Sequence, residues 1–360
     1  MKKIFYLSIL ILAALFINNR VFAQGCIAIR STGGATEMHH DGEVDSAKWE
    51  MNVNNRYYRS YKHFVGTAEQ KQRQTLGNEV INHGYTMDLA LTRVLNQRWS
   101  LLIDVPVISN ARSSMYEHAN TRHTTHSFGL GDVRFSVYRW MIDPKKATKG
   151  NVQLGLGIKL PTGDYKYMDR FHQADGTTIL GPVDQSIQLG DGGTGFTLEV
   201  NPHYNFNKTW GVYGNFYYLA NPREQNGVST ARGGVPSAQT VAIESDVMSV
   251  PDQYLIRFGA NASFNNLTTF LGFRDECIPV HDLIGGSQGF RRPGYILSVE
   301  PGITYKIKSV TLYAYVPVAF QRNRTQSVPD KNKTALTGVY AHGDAAFADY
   351  AINVGLTINF

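Results

Sequence analysis

Charged side chains recur at every second position in several stretches of this chain, and they are the first residues that could do chemistry. This spacing puts them on one face of an extended strand, because successive strand side chains point to opposite sides. Acids and bases facing an enclosed space either brace it with salt bridges or line a polar path for a solute. The candidates are Glu50, Arg56, Asp88, Asp104, Asp132, Arg134, Lys159, Glu199, His203, Arg257, Arg274, Glu300 and Lys306.

Covalent catalysis has weaker support. Some membrane β-barrels are hydrolases, and such an enzyme needs a serine and a histidine within hydrogen-bonding distance of each other on the lipid-facing side. On a strand, His-x-Ser is the shortest spacing that puts both side chains on one face. No such pair occurs, and the adjacent His126 and Ser127 would point to opposite faces. A barrel protease would instead gather acids and histidines at its rim, for which the loop candidates are His172, Asp175, Asp184, His281 and Asp282. Nothing in their spacing singles them out, so we predict no catalytic residue, no cofactor and no enzyme.

Two histidine groups have side chains of the kinds that bind metals. One comprises His118, His123 and His126, which we expect in a single external loop, and the other is His39-His40-Asp41. Histidines in loops and tails are more often simply solvated. We therefore predict no metal site.

The element that organises these residues is the C-terminal stretch Ala348–Phe360. Its odd-numbered and even-numbered positions separate into a polar face and an apolar face, and this alternation predicts a strand with one lipid-facing wall. The apolar face includes Tyr350, Ile352 and Phe360, and it resembles the C-terminal signal that the outer-membrane assembly machinery recognises. Similar alternation predicts twelve strands, at 49–57, 85–92, 99–107, 132–137, 151–160, 196–206, 210–220, 254–264, 267–274, 295–306, 310–320 and 348–360. The predicted fold is an all-β, antiparallel, up-and-down transmembrane barrel of about twelve strands.

The connections support a barrel independently of the strands. Links after even-numbered strands are short, whereas links after odd-numbered strands are long and polar, including 162–190 and 221–250. Outer-membrane barrels have short periplasmic turns and longer external loops. This pattern therefore predicts that both ends of the barrel domain lie in the periplasm.

The N terminus predicts export. Lys2 and Lys3 precede an apolar run that is too short to span a bilayer, and Ala23 supplies a small residue for cleavage. The expected organisation is a signal peptide at 1–23, an irregular segment at 24–46 and an outer-membrane barrel at 47–360. The formal charge of +6 is scattered rather than clustered among aromatics, so nucleic-acid binding is not expected.

Cys26 and Cys277 are an even pair in an exported chain, which permits one disulfide. By the predicted topology, Cys277 lies at the outer rim, while Cys26 begins on the periplasmic side. The roughly 20 residues after Cys26 reach at most about 65 Å, enough to cross a membrane about 40–45 Å thick. If the two cysteines pair, the segment 24–46 must thread the lumen as a plug. Separate thiols and an intermolecular bond are the alternatives.

Three stretches carry a resemblance to a known family. They are Gly129–Val133, Leu154–Asp164 (LGLGIKLPTGD) and the C-terminal strand. Together they resemble the outer-membrane family named for the phenol meta-cleavage pathway, whose members are called transporters of hydrophobic or aromatic compounds. The signal ending in Ala-Gln and the aromatic-rich strands are similar to those of Gram-negative bacteria of the Bacteroidetes type. The resemblance implies no defined set of functional residues.

The leading hypothesis is therefore an outer-membrane barrel for passive or gated passage of a small, hydrophobic or aromatic solute. Its expected partners are outer-membrane lipid, the barrel assembly machinery and the solute. The main alternative is a non-conducting barrel whose long external loops bind a ligand or partner. The sequence leaves the solute and the oligomeric state open.

Overall fold

The computed structural model describes residues 48–360. The predicted signal peptide, the segment 24–46 with Cys26, and the group His39-His40-Asp41 lie outside the described residues. Within them the chain forms a closed antiparallel barrel of twelve strands, which confirms the predicted fold class. None of the helices in this part of the chain combines the length and apolarity needed to cross a bilayer.

The barrel strands are numbered in chain order. They are β1 Trp49–Val65, β2 Ile81–Val94, β3 Trp99–Ser114, β4 His123–Leu130 with Arg134–Trp140, β5 Gly150–Lys159, β6 Gly195–Asn205, β7 Trp210–Ala220, β8 Gln253–Phe264, β9 Leu267–Ile278, β10 Gly294–Ile307, β11 Val310–Tyr315 with Val318–Asn323, and β12 Ala345–Asn359. The connections contain short strands at Ala68–Glu69, Met168–His172, Thr178–Pro182, Gln225–Ser229 and Val247–Ser249. They also contain helices α1 Gln72–Thr75, α2 Ala238–Ala242 and α3 Val328–Thr337, and a 3₁₀ turn at Gln185–Ile187.

The C-terminal strand closes the barrel. β12 pairs with β1 from Glu50↔Asn359 to Phe64↔Ala345, and the amide of Trp49 donates to the carbonyl of Phe360 at 2.9 Å. Closure leaves no unpaired sheet edge. This is necessary in lipid, because the backbone groups of an open edge would have no hydrogen-bond partners there. Tyr350, Ile352 and Phe360 point outward and are exposed. Their recognition by the assembly machinery stays a prediction.

The two faces of the wall differ in chemistry. Large apolar side chains such as Leu156, Phe258 and Phe273 are exposed on the outer face, where lipid would cover them. The charged and amide side chains alternate with them and are buried inside. On the outer face near the short turns, Arg93 and Arg139 lie over the rings of Trp49 and Trp99, at 4.7 Å and 5.0 Å from the ring centroids. Tryptophan in this position is typical of the membrane interface.

Two strands are interrupted where a neighbouring strand carries proline. The carbonyl of Pro106 accepts the amide of Gly131, and the carbonyl of Pro301 accepts the amide of Val316. Proline has no N–H with which to donate the second hydrogen bond of a paired position, so the ladder breaks at 131–133 in β4 and at 316–317 in β11. The second break also contains Pro317, which itself lacks an N–H. Asp132 therefore lies in a break of the strand, whereas the alternation had predicted a regular strand at this position.

The predicted sorting of connections by length holds with one exception. The short turns 95–98, 206–209, 265–266 and 308–309 lie at one rim, the short-turn end, and the other rim is the long-loop end. The link 115–122 at the long-loop end is no longer than the turn 141–149. The cause is that β3 and β4 extend beyond the predicted strands and pair as far as Ser114↔His123. His123 and His126 thus belong to β4, and the expectation that they share one loop with His118 was wrong.

Glycines on the inner face make room for aromatic rings. Tyr213, Phe270, Tyr313 and Tyr315 form a buried cluster in the half of the lumen near the short turns. A Cβ added to Gly302 would overlap the ring of Phe270. Glycine at this position lets the ring lie against the wall instead of projecting into the lumen.

Replacing Gly302 by alanine is expected to displace the Phe270 ring toward the lumen. The free energy of unfolding should fall by about 1–3 kcal/mol, as for other overpacked sites, and the conductance should decrease. Gly234→Ala is the control, because nothing lies within 4 Å of a Cβ added there. Urea titration and bilayer recording measure the two effects. Equal behaviour of both variants would show that the ring does not depend on this glycine.

Candidate functional site

A chain of charged side chains crosses the lumen at mid-height. Arg56 on β1 donates to Oε1 of Glu276 on β9 at 2.9 Å, although three strands separate β9 from β1 around the wall. The same oxygen accepts from Arg274 at 2.6 Å. Arg274 and Arg257 both contact Glu300, at 3.1 Å and 2.7 Å. All five side chains are buried, so this central network joins β1 to the part of the wall formed by β8, β9 and β10.

Two further groups lie closer to one wall. Arg134 on β4 forms a salt bridge with Asp104 on β3 and donates to the hydroxyl of Tyr217 on β7 at 3.2 Å. Lys159 at the end of β5 contacts Asp132 at 3.3 Å, the carboxylate of Asp191, and the carbonyl of Gly193 at 2.8 Å. The charges on the inner face are thus largely paired with one another.

The structure places every predicted inner-face candidate on the lumen side or at a break in the wall. Nine are buried, namely Arg56, Asp88, Asp104, Arg134, Lys159, Glu199, Arg257, Arg274 and Glu300. The other four are half-buried, namely Glu50, Asp132, His203 and Lys306. The pairing of these charges favours bracing as their main role, and their proposed part in selectivity stays a prediction.

Residues 183–191, called the inward loop below, fold into the lumen from the long connection between β5 and β6. Val183 and Ile187 are buried. Asn110 on β3 donates to the carbonyl of Ile187 at 3.3 Å, and Gln185 donates to the carbonyl of Ser249 at 2.9 Å. The strand alternation had given no reason to expect this loop inside the barrel.

Asp184 is the electrostatic centre of the inward loop. Arg292 donates to both carboxylate oxygens of Asp184, at 2.7 Å and 2.6 Å. Arg112 and Arg232 each lie 3.5 Å from the same carboxylate. The hydroxyl of Ser186 donates to it at 2.7 Å. Burial alone would raise the pKa of Asp184, but the guanidinium groups of Arg112, Arg292 and Arg232 hold it well below its usual range.

This lowered pKa predicts an acid-sensitive contribution to stability. A carboxylate with a depressed folded-state pKa contributes stability that is full above its unfolded pKa of about 3.9 and is lost as the pH falls through the folded value. The difference in melting temperature between wild type and Asp184→Asn should therefore be constant near neutral pH and shrink below about pH 4. Thermal melts of both proteins from pH 7 to pH 3 measure it. A difference that stays constant to pH 3 would contradict the assignment.

Residues of the inward loop, together with the neighbouring Pro182, line two cavities. The larger cavity, here called the vestibule, has a volume of about 420 Å³ and is lined by Pro182, Asp184 and Ser186 on this side. A smaller inner cavity of about 60 Å³ is lined by Gln185, Gln188 and Asp191. The inward loop is therefore a partition between the long-loop end and the lumen.

The vestibule is walled by residues that the initial candidate set missed, among them Arg112, Glu117, Arg232 and Arg292. Arg112 continues the inner-face alternation of β3 and could have been found by extending that strand. The other three lie in connections, where no period marks which side chains face inward. Only the folded loops bring them together.

One carboxylate–imidazole pair in the vestibule has the composition of a hydrolytic site. Nδ1 of His63 lies 2.9 Å from Asp344, but its Nε2 accepts the backbone N–H of Val80 at 2.9 Å. This ring nitrogen is occupied and does not face a serine. The pair positions the start of β12 instead of serving as a general base.

Of the remaining predicted groups, His118, His123 and His172 lie together, with ring centroids 5.4 Å, 5.6 Å and 3.6 Å apart. In residues 48–360 no group of three or more His, Cys, Asp and Glu side chains is arranged to hold a metal ion. Cys277 is buried on β9 opposite Tyr254 of β8, on the face away from Arg274 and Glu276. Because Cys26 lies outside the described residues, the disulfide stays a prediction.

Comparison with known proteins identifies the fold but no family. No family model and no curated protein matches the chain. An outer membrane channel from Pseudomonas putida F1 is similar, with a TM-score of 0.56 and 11% identity over 92% of this chain and 100% of that chain. The Ralstonia pickettii toluene transporter TbuX has a TM-score of 0.43 and 9% identity over 95% of this chain and 97% of that chain. At such identities the first likeness shows a shared outer-membrane barrel fold, and the second is too loose to carry an argument.

Proposed function

We propose that this barrel is an outer-membrane channel for a small solute and that the inward loop is its constriction. The observation that carries the proposal is the partition itself. Asp184 and Ser186 line the vestibule while Gln185, Gln188 and Asp191 line the inner cavity. A movement of this one segment would join the two spaces. The loop is held by buried apolar side chains, by hydrogen bonds and, at Asp184, by ion pairs that a competing charge can replace.

The inner wall bears on the kind of solute. The family resemblance implies a hydrophobic or aromatic compound. Tyr213, Phe270, Tyr313 and Tyr315 are buried against one another, so a solute would stack on their rings only where the cluster opens. The same lumen holds many paired charges, which a purely apolar molecule would desolvate without replacing their hydrogen bonds. A ring-shaped solute that also carries polar groups suits both features.

The proposed orientation follows the lengths of the connections. The long-loop end with the vestibule would face outward, and the rim that holds Trp49 and Phe360 would face the periplasm. The barrel would be surrounded by outer-membrane lipid and assembled through its C-terminal strand. A lumen plug formed by residues 24–46 is kept as part of the proposal, although Cys277 has the parity of the outer face.

A non-conducting barrel that binds a ligand through its loops is the second candidate. The contact between Arg56 and Glu276 across the lumen favours it, because such a brace also obstructs passage. The long connections that could bind a partner are partly used within the molecule, since 183–191 and Arg232 wall the vestibule.

Single-channel recording of the refolded mature protein in a planar bilayer tests the proposal. We expect small steps from wild type, and steps that grow on reduction would support a plug held by a disulfide. Conductance steps that do not change on reduction would support the channel and contradict a disulfide-held plug. Silence from protein that migrates as a folded barrel on unheated gels, in both conditions, would favour the binding barrel.

A further inference from the structure

The vestibule wall carries more guanidinium groups than carboxylates. Four arginines line it against three acids, Glu117, Asp184 and Asp344. Arg73 is matched by Asp344 at 2.6 Å. Arg112, Arg232 and Arg292 share the other two carboxylates, Asp184 and Glu117, which leaves one positive charge in excess around this pair.

Only one of the two carboxylate oxygens of Glu117 accepts a hydrogen bond from the part of the chain that the structure describes. Arg112 and Arg232 approach the same oxygen, Oε1, at 2.9 Å and 2.8 Å. Its other oxygen, Oε2, has no hydrogen-bond partner among the described residues, although the side chain is only 5% exposed. A buried carboxylate oxygen normally accepts a hydrogen bond, so Glu117 has an unmet acceptor at the vestibule wall.

Arg232 is the complementary donor. Its Nε also lacks a partner, and its side chain is 26% exposed, compared with 7% for Arg112 and 17% for Arg292. The hydroxyl of Ser114, which lines the same cavity, is a third group without a partner. Guanidinium groups bind carboxylates well because their donors form a planar fork.

We infer that the vestibule binds a small hydroxycarboxylate, whose carboxylate contacts Arg232 and whose hydroxyl donates to Glu117. The inference rests on the proposed channel function and names its solute class. The volume of about 420 Å³ lies within the usual range for small-molecule sites. A neutral or apolar solute would leave the excess positive charge uncompensated and the Glu117 oxygen without a donor. Phenolic acids and sugar acids share the required chemistry.

Calorimetric titration of the folded, full-length mature protein with matched probes tests this inference. The probes are 4-hydroxybenzoate and glucuronate, each compared with its counterpart lacking the carboxylate, phenol and glucose. We expect at least one acid to bind roughly tenfold or more tighter than its neutral counterpart, as one charge-assisted contact allows. Preference for 4-hydroxybenzoate would indicate an aromatic acid, and preference for glucuronate a sugar acid. Equal binding of acids and neutral counterparts would overturn the inference.

Three substitutions locate the site. Arg232→Gln should abolish the preference for the acid, and Arg232→Lys should restore part of it because the charge returns without the fork. Glu117→Gln keeps the size of the side chain but turns Oε2 into a donor, so it should weaken binding of the hydroxyl-bearing acid and serves if Arg232→Gln does not fold. Arg170→Gln is the matched control, since Arg170 is exposed and is absent from the vestibule wall. An unchanged preference in both Arg232→Gln and Glu117→Gln would also overturn the inference.

Conductance separates this inference from the proposed function. If the wild-type protein conducts but shows no preference for acids, the binding inference is wrong and the channel function stands. If the wild-type protein does not conduct but still binds the acid through Arg232, the channel function is wrong and the binding site stands.

Discussion

Replacing Asp184 by asparagine is expected to give larger and more frequent conductance steps than wild type shows. The change keeps the size of the side chain but removes the charge that Arg112, Arg232 and Arg292 share. Loss of one member of a buried ion pair costs about 3–5 kcal/mol. A shift of about 3 kcal/mol in the closed position of the loop would change the ratio of open to closed states by roughly 100-fold. Single-channel recording at neutral pH measures the change.

Asp175→Asn is the matched control for this prediction. Asp175 lies in the same connection, but it is exposed at the tip between two short strands. Its replacement should leave both conductance and melting temperature unchanged. If Asp184→Asn lowers the melting temperature without changing the conductance, the inward loop contributes to stability but is not the constriction.

Replacing Glu276 by glutamine is expected to cause the largest loss of stability. Glu276 accepts a hydrogen bond from Arg56 across the lumen and another from Arg274. Without its charge two buried guanidinium groups lose compensation, and the free energy of unfolding should fall by about 3–5 kcal/mol. Urea titration in lipid vesicles measures this loss. The conductance should also rise, because the lumen loses a brace.

A double-mutant cycle with Arg56→Met tests whether the two walls are coupled. If the bridge matters, the double variant should lose less stability than the two single variants lose together, because neither charge is then left alone. The coupling between groups in contact is typically about 0.5–3 kcal/mol. Additive losses would show that the contact across the lumen contributes nothing and that each residue acts through its own wall.

The alternation of side chains determined the architecture from the sequence alone. Twelve strands, their order, the polar inner face and the two kinds of connection all follow from a period of two and from the lengths between strands. These properties are local, because a strand between lipid and lumen must alternate wherever it lies. Even the residues that face inward, such as Arg134 and Glu300, could be assigned without knowledge of any partner.

The alternation of side chains did not predict strand breaks or strand ends that depend on a neighbouring strand. The break at Asp132 arises because Pro106 on β3 cannot donate to β4, and the alternation of β4 carries no trace of this. β3 itself continues to Ser114, so Arg112 was left out of the candidate set although it has the correct parity. A longer search along that strand would have recovered it.

Only the tertiary structure decided how the lumen is braced and closed. Arg56 meets Glu276, and Asp184 meets three arginines, across distances of many residues and between elements with no common period. Strand periodicity fixes the face on which a side chain lies, but not which opposite side chain it meets across a closed barrel. Loops have no period, so the inward fold of 183–191 and the unpaired oxygen of Glu117 arise only from the packing of the whole chain. For that reason the sequence determined the barrel, whereas the proposed constriction and the proposed binding site follow only from the structure.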